Sequence, residues 1–331
     1  MATDLRVLLI TSEWPTSEHP EWAPFIVRQV EYLRKAGVDV DVFSFRGAKN
    51  PLNYARAWGQ VRQLLKVNQK YDLIHAQFGQ SAFLALPLPC PLVVTYHGSD
   101  VLGIVDAQGN YTLAGWALRL FSQLVSFSAS GVIVVSKEIG QSLPRRDFHI
   151  IPSGLNMEMF VPMPKADACR KIGLDENRRF ILFGASPSVA RKRFALAQSA
   201  FRLVAGQVPN AELISLNHVP HNLVPFYVNA SDVLLLVSLH EGSPNVVKEA
   251  LACNVPVVST DTGDVRELIG AIEGCVLCDD DRPETIASAL LKTLERNQRI
   301  NGRQTVLDLN EDILTQKVIR VYRQAIEMKK A

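Results

Sequence analysis

The chain has 331 residues, enough for about two domains at roughly 150 residues each. Hydrophobic residues make up 47% and charged residues 21%, near globular averages, so a large core is feasible. The net charge of +2 is spread evenly over both halves, which excludes the basic bias of a nucleic-acid binder.

In chain order, short β-branched or leucine-rich runs alternate with amphipathic helical stretches, the pattern of a parallel sheet covered on both faces. Leu5 to Ile10 reads as a first strand, Phe25 to Lys35 as a helix stopped at Gly37, and Val38 to Phe43 as a second strand. A helix from about Tyr54 to Val67 leads to a strand at Asp72 to Ala76. A strand at Leu92 to Tyr96 precedes a helix near Leu113 to Ser128, and Val132 to Val135 closes the series before a short helix from Lys137. A new cycle begins after the turn-forming Pro152-Ser153-Gly154. Its strands read as Phe180 to Phe183, Glu212 to Leu216, Val233 to Leu236 and Val255 to Ser259. Its helices read as Ala195 to Val204, Asn245 to Cys253 and Pro283 to Arg296. The expected fold is α/β with two Rossmann-like doubly wound domains facing across a cleft, residues 1–151 and 152–309. A C-terminal helix in 310–331 has no strand after it and is expected to pack back toward the N-terminal domain.

Five cysteines, Cys90, Cys169, Cys253, Cys275 and Cys278, are an odd number in a long chain and read as reduced thiols. Cys275 and Cys278 form a lone C-x-x-C in an apolar run, which reads as a buried strand before a metal or redox site. The N-terminus opens on a strand rather than a signal peptide, and no apolar run approaches about 18 residues. The expectation is a cytoplasmic protein, with peripheral membrane contact as its only membrane role.

The densest motif runs from Leu239 to Leu251. A strand ends near Ser238, and Ser243 and Pro244 read as the N-cap and first-turn proline of a helix. The N–H groups of Asn245, Val246 and Val247 would then form an anion site, with Gly242 in the approach. Glu241 on the loop and Glu249 two turns on can accept hydrogen bonds from hydroxyls at two parts of an extended ligand. Spacing alone equally allows two solvated glutamates beside an ordinary strand–helix turn. A second stretch, Thr95-Tyr96-His97-Gly98-Ser99-Asp100, delivers a histidine to a strand end, where such residues more often cap than catalyse. A third pairs Ser136-Lys137 with Pro152-Ser153-Gly154-Leu155-Asn156, and a helix N-cap explains Ser136 as well as a ligand contact does. In a fourth, Gly184-Ala185-Ser186 leads to the cations Arg191, Lys192 and Arg193, which could neutralise a diphosphate or form a solvated turn.

EGSPNVVKEAL (Glu241 to Leu251), with the strand and glycine turn from Val255 to Glu267, resembles glycosyltransferase family 4. The resemblance spans about Phe25 to Glu267 and implies a retaining enzyme with the B-type glycosyltransferase fold. Residues 1–151 are then the acceptor domain and 152–309 the nucleotide-sugar domain. It implies that Glu241 and His97 meet the donor sugar, that Glu249 meets the ribose, and that Lys192 and the backbone of Gly242, Ser243, Asn245, Val246 and Val247 meet sugar and diphosphate. Ser186 and Arg191 fall on the donor side, Asp100 orients the histidine loop, and Ser136 borders the acceptor. The chain departs from the family in four places. Asn156 stands where an aspartate is common, Arg193 replaces a glycine, the usual early arginine is absent unless Arg191 substitutes for it, and the loop that helps hold the base is short at Asn217 to Pro220. A stiff segment with Trp14 and Trp22 replaces the N-terminal double-glycine loop and suits an acceptor or simple packing.

The implied reaction moves a hexosyl group from a UDP- or GDP-sugar to a glycan or lipid-linked acceptor, in polysaccharide or glycolipid synthesis, without a metal or further cofactor. Asp279-Asp280-Asp281 accordingly reads as a helix-start cluster rather than a metal site. The basic amphipathic helix from Arg56 to Lys66 could touch an anionic membrane or, as most such helices do, simply cover the sheet. The rival readings are a nucleotide-sugar epimerase of the same fold and a degenerate donor-binding subunit.

Overall fold

The computed structural model describes residues 5–17, 22–47, 50–67, 71–104 and 110–330. The described chain divides into two compact units, one built from the segment up to Gly154 together with Glu311 onward, the other from Leu155–Asn310.

The first unit runs β1 (Arg6–Thr11), α1 (Pro24–Lys35), β2 (Asp39–Ser44), α2 (Pro51–Val67), β3 (Leu73–Gln77), α3 (Gly79–Ala82) and β4 (Leu92–Tyr96). It continues with α4 (Ser99–Leu102), α5 (Leu113–Ser126), β5 (Gly131–Val134), α6 (Lys137–Gln141) and β6 (His149–Ile150). Its sheet has the order β2-β1-β3-β4-β5-β6 with every pairing parallel. Buried on both faces, β1, β4 and β5 are largely continuous apolar runs in which successive side chains serve opposite cores. Leu8, Ile10, Ile74, Val94 and Val132 pack with Ala57 and Val61 of α2 and Val125 of α5. Val7, Leu9, Leu73, Val93 and Ile133 pack with Ile26, Val30 and Leu33 of α1 on the other face. That second face also receives Leu314, Val318, Val321 and Tyr322 from the last helix of the chain, Glu311–Lys330. Its first residue is fixed by a nearly buried ion pair, Arg28 Nε to Glu311 Oε1 at 3.1 Å.

The second unit runs α7 (Lys165–Ile172), β7 (Arg179–Phe183), α8 (Phe194–Ala205), β8 (Ala211–Ser215), α9 (Val224–Ala230) and β9 (Val233–Leu236). It ends with α10 (Asn245–Ala252), β10 (Val257–Ser259), α11 (Val265–Ile269), β11 (Val276–Leu277) and α12 (Pro283–Arg296), and the helix Glu311–Lys330 is α13. The sheet order is β11-β10-β9-β7-β8, again all parallel. Leu182, Leu234 and Leu236 face α9 and α10, while Ile181, Phe183, Val233 and Leu235 face α8 and α12. Strand order reverses between β1 and β3 in one sheet and between β7 and β9 in the other, so the carboxyl ends of those strands are where a ligand would sit.

Several expectations shift. The strand expected from Cys275 to Cys278 is only Val276–Leu277 and half-buried, because it pairs on one side at the sheet edge. All five cysteines are free thiols, and burial pushes Cys275 and Cys278 up to about 11. The helix expected to start with Ser243 as cap and Pro244 in its first turn starts at Asn245 instead, because Pro244 is itself extended with ψ 112°. Among the described residues no helix is long and apolar enough to cross a membrane.

Candidate active site

In the second unit three strand ends converge. Beyond β7, Gly184 lies against Val246 at the start of α10, where a Cβ would come within 2.5 Å of the valine side chain. Beyond β10, Gly263 has φ +59°, and a Cβ there would approach the Gly242 carbonyl to 2.8 Å. Only glycines let the loops after β7, β9 and β10 close onto one another.

The loop after β7 forms a 3-10 turn, Ala190–Lys192, tied to the loop after β9 by Leu239 N–H donating to Arg191 O at 2.8 Å. This brings two cations onto one carboxylate. Arg191 Nη1 donates to Glu241 Oε1 at 3.0 Å, and Lys192 Nζ donates to the same oxygen. Glu241 is buried, which alone would raise its pKa; Lys192 and then Arg191 outweigh that and hold it below the usual carboxylate range. Two cations against one carboxylate leave a positive charge uncompensated, as a diphosphate would require. Arg193, set by the sequence resemblance where a glycine is expected, adopts the left-handed conformation a glycine would favour, φ 54° and ψ 49°. Its guanidinium donates to Val237 O at 2.6 Å and pairs with Asp281.

No side chain caps α10. Val247 N–H donates to Pro244 O at 3.1 Å, so the three-amide anion site expected there shrinks to Asn245 and Val246. The side chains of Val246 and Val247 are core. Nearby, Asn245 Oδ1 and Thr260 Oγ1 are buried without hydrogen-bond partners, as groups awaiting a polar ligand would be. Glu249 is buried within α10, as is Lys248, which sequence reading passed over because a lysine at that spacing reads as solvated. Burial raises the pKa of Asp264, with the Lys248 charge opposing it. Ser186 Oγ donates to Asn217 Oδ1 at 2.8 Å. Asp280 and Asp281 pair with Arg282 and Arg193, and among the described residues no group of acids, histidines or cysteines could hold a metal. Asn156 Oδ1 accepts from Glu158 N and Met159 N at 3.0 and 2.9 Å, a turn-capping role that needs an oxygen but no charge.

In the first unit His97 follows β4 and lies between Phe25 and Phe78, ring centroids 5.1 and 4.6 Å away. Its Nε2 meets Gln77 Oε1 at 2.7 Å, and Gln77 Nε2 donates to Gln29 Oε1 at 2.6 Å, so the three side chains form one hydrogen-bonded chain. Asp100 is fully buried and accepts from Gly79, His97 and Gly98 N–H at 3.0, 3.2 and 2.9 Å, which fixes the loop bearing the imidazole. Burial raises its pKa and those backbone donors oppose the rise. Phe78 holds φ 72°, a strained value for a bulky residue, at the switch-point end of β3. Behind it, fully buried His75 bridges Tyr322 OH at Nδ1 and Thr95 Oγ1 at Nε2, both 2.7 Å, and burial lowers its pKa to about 3. Gln77, His75 and Tyr322 escaped the sequence reading because Tyr322 and His75 are 247 positions apart. Ser136 caps α6 by accepting from Ile139 N at 3.4 Å. Trp14 packs on the core and Trp22 lies under Arg46 at 4.1 Å; residues 18–21 of their segment lie outside the described residues.

Two parallel-sheet α/β units of this order define the B-type glycosyltransferase fold. The family described as Glycosyltransferase Family 4 matches residues 3–159, and Glycosyl transferases group 1 matches residues 166–296. The chain belongs to these group 1, family 4 glycosyltransferases. It is 27% identical to TuaC of Bacillus subtilis (strain 168), a glycosyltransferase named for teichuronic acid biosynthesis, over 94% of each chain. Sucrose-phosphate synthase from Thermosynechococcus elongatus superposes with a TM-score of 0.78 at 19% identity, covering 98% of this chain and 100% of that one. Anabaena HepE in complex with UDP-glucose superposes with a TM-score of 0.64 at 15% identity, covering 98% and 99%.

Proposed function

We propose that the chain is a retaining hexosyltransferase that uses a UDP- or GDP-sugar and an acceptor hydroxyl of a cell-surface polysaccharide or its lipid-linked precursor. The observation that carries this reading is the convergence of Arg191 and Lys192 on buried Glu241, next to the uncapped start of α10. The cations and the Asn245 and Val246 amides suit a diphosphate and its charge as the glycosidic bond breaks, supplying what a divalent metal otherwise would. No cofactor beyond the donor enters the scheme. Glu241, Glu249 and His97 are assigned to donor hydroxyls, and the acceptor attacks on the face the diphosphate leaves. The nearness of HepE, solved with UDP-glucose, and of TuaC supports the donor class and the polysaccharide setting. The test is incubation with UDP- and GDP-hexoses and an oligosaccharide acceptor, reading the anomeric configuration of the product by proton NMR. Retention supports the proposal. Inversion, or donor isomerised without acceptor, contradicts it.

A further inference from the structure

The carboxyl end of β3 combines two unfavourable features that converge on one imidazole. Gln77 is fully buried in a parallel sheet, where an amide is costly unless both its ends are bonded. Phe78, the next residue, holds φ 72°, a conformation that strains a bulky side chain. The amide of the first and the ring of the second both end on His97.

The local geometry accounts for both features. Phe78 N–H donates to Thr95 O at 2.9 Å, so β3 still holds β4 at this point, and His97 lies two residues beyond Thr95. The Phe78 ring stands 4.6 Å from the imidazole centroid, with Phe25 at 5.1 Å. Two apolar rings confine the plane of an imidazole, but they do not choose which way its nitrogens point. Gln77 Oε1, 2.7 Å from His97 Nε2, makes that choice. The amide is itself held, because its Nε2 donates to Gln29 Oε1 at 2.6 Å and lies 3.4 Å from His75 Nε2, which leaves Oε1 turned to His97. His75 is fixed in turn by Tyr322 OH and Thr95 Oγ1, both at 2.7 Å. A buried network bonded at each step is rigid.

We infer that Gln77 is a positioning residue for His97, fixing the rotation of the imidazole at the end of β4 while Gln29 and His75 hold the amide. The inference rests on the reading that His97 meets the donor sugar. Gln77 touches no substrate in this scheme and acts through His97 alone. Its loss leaves the imidazole in place but misaimed, and small misplacements of a reacting group are costly to rate.

The experiment has one arm without turnover and one with it, on the full chain with folding checked by circular dichroism. The first compares imidazole ¹⁵N shifts of His97, assigned with His97→Ala, in the wild type, Gln77→Met, Gln29→Met and Gln29→Glu. Gln29 is only half-buried on α1, so its variants keep the test open if Gln77→Met does not fold. The His97 resonances should move in both methionine variants and return in Gln29→Glu, which keeps an oxygen for Gln77 Nε2. Resonances that stay unmoved in the methionine variants overturn the inference. In the second arm kcat should fall about tenfold to a hundredfold in Gln77→Met, with donor KM little changed. In the His97→Ala background the same substitution should change kcat by less than about twofold. Losses that multiply instead would show Gln77 acting by another route and overturn the inference. A wild-type chain without transferase activity removes the donor reading, whereas unmoved ¹⁵N shifts remove the positioning role whatever the activity.

Discussion

Lys192 and Glu241, 49 positions apart in sequence, meet as a buried ion pair at the carboxyl ends of neighbouring strands β7 and β9. Arg191 shares the same carboxylate oxygen, so one anion holds two cations at the mouth of the second sheet. The chemistry proposed for the chain depends on that cluster.

Lys192→Ala should lower the transfer rate at saturating donor by about 10²–10³, the usual effect of removing a donor aimed at developing negative charge. Arg191→Ala should do less, because Arg191 is one-third exposed while Lys192 is largely buried. Steady-state kcat for both variants checks this. Equal, small effects would remove the cations from the mechanism.

The conformation of Arg193 gives a second expectation. Arg193→Gly and Arg193→Ala lose the same contacts to Val237 and Asp281, but only alanine keeps a side chain at φ 54°. The glycine variant should be the more stable by about 1 kcal/mol in urea unfolding. The order reversed would mean that the turn relaxes to another conformation.

How far the site could be read from sequence follows from the range of its contacts. Pro283–Arg296 was legible to the residue, because proline opens it and Asn297 ends it at φ 45°. So was the alternation of strands and helices, since strands buried on both faces need unbroken apolar runs. Lys165–Ile172 was not, as it is short, half of its residues are charged, and its buried side chains are only Ala168 and Cys169. The two residues of β6 are exposed and carry no strand pattern. Glu241 and Glu249 stood out through a local motif. The partners that set their behaviour, and the Gln29–Gln77–His97 chain in the other unit, come from separate segments that only the fold brings together.

His75 predicts a pH dependence with a definite sign. Its pKa in the folded chain, about 3, lies below its ordinary value of 6.5, so the unfolded chain binds the extra proton between those limits. The stability it contributes is full above pH 6.5 and falls as pH drops toward 3, by about 1.4 kcal/mol per unit. The stability gap between the wild type and His75→Gln should therefore narrow from pH 7 to pH 5. Parallel curves would mean that the folded chain takes up the His75 proton as readily as the unfolded chain does.

The nearly buried Arg28–Glu311 pair anchors the start of α13 to α1. Glu311→Ala breaks this nearly buried pair and should cost about 3–5 kcal/mol in denaturant unfolding. A change under 1 kcal/mol would show that α13 does not depend on the pair for its docking.

The most direct test of the central claim is a thermal-shift titration of the purified chain with UDP, GDP, ADP and their common sugars, run beside Lys192→Ala. The account predicts stabilisation by one nucleotide series, about 3 kcal/mol at a hundredfold excess over Kd, and its loss in the variant. No shift with any nucleotide at millimolar concentration, or the same shift in Lys192→Ala, would contradict it.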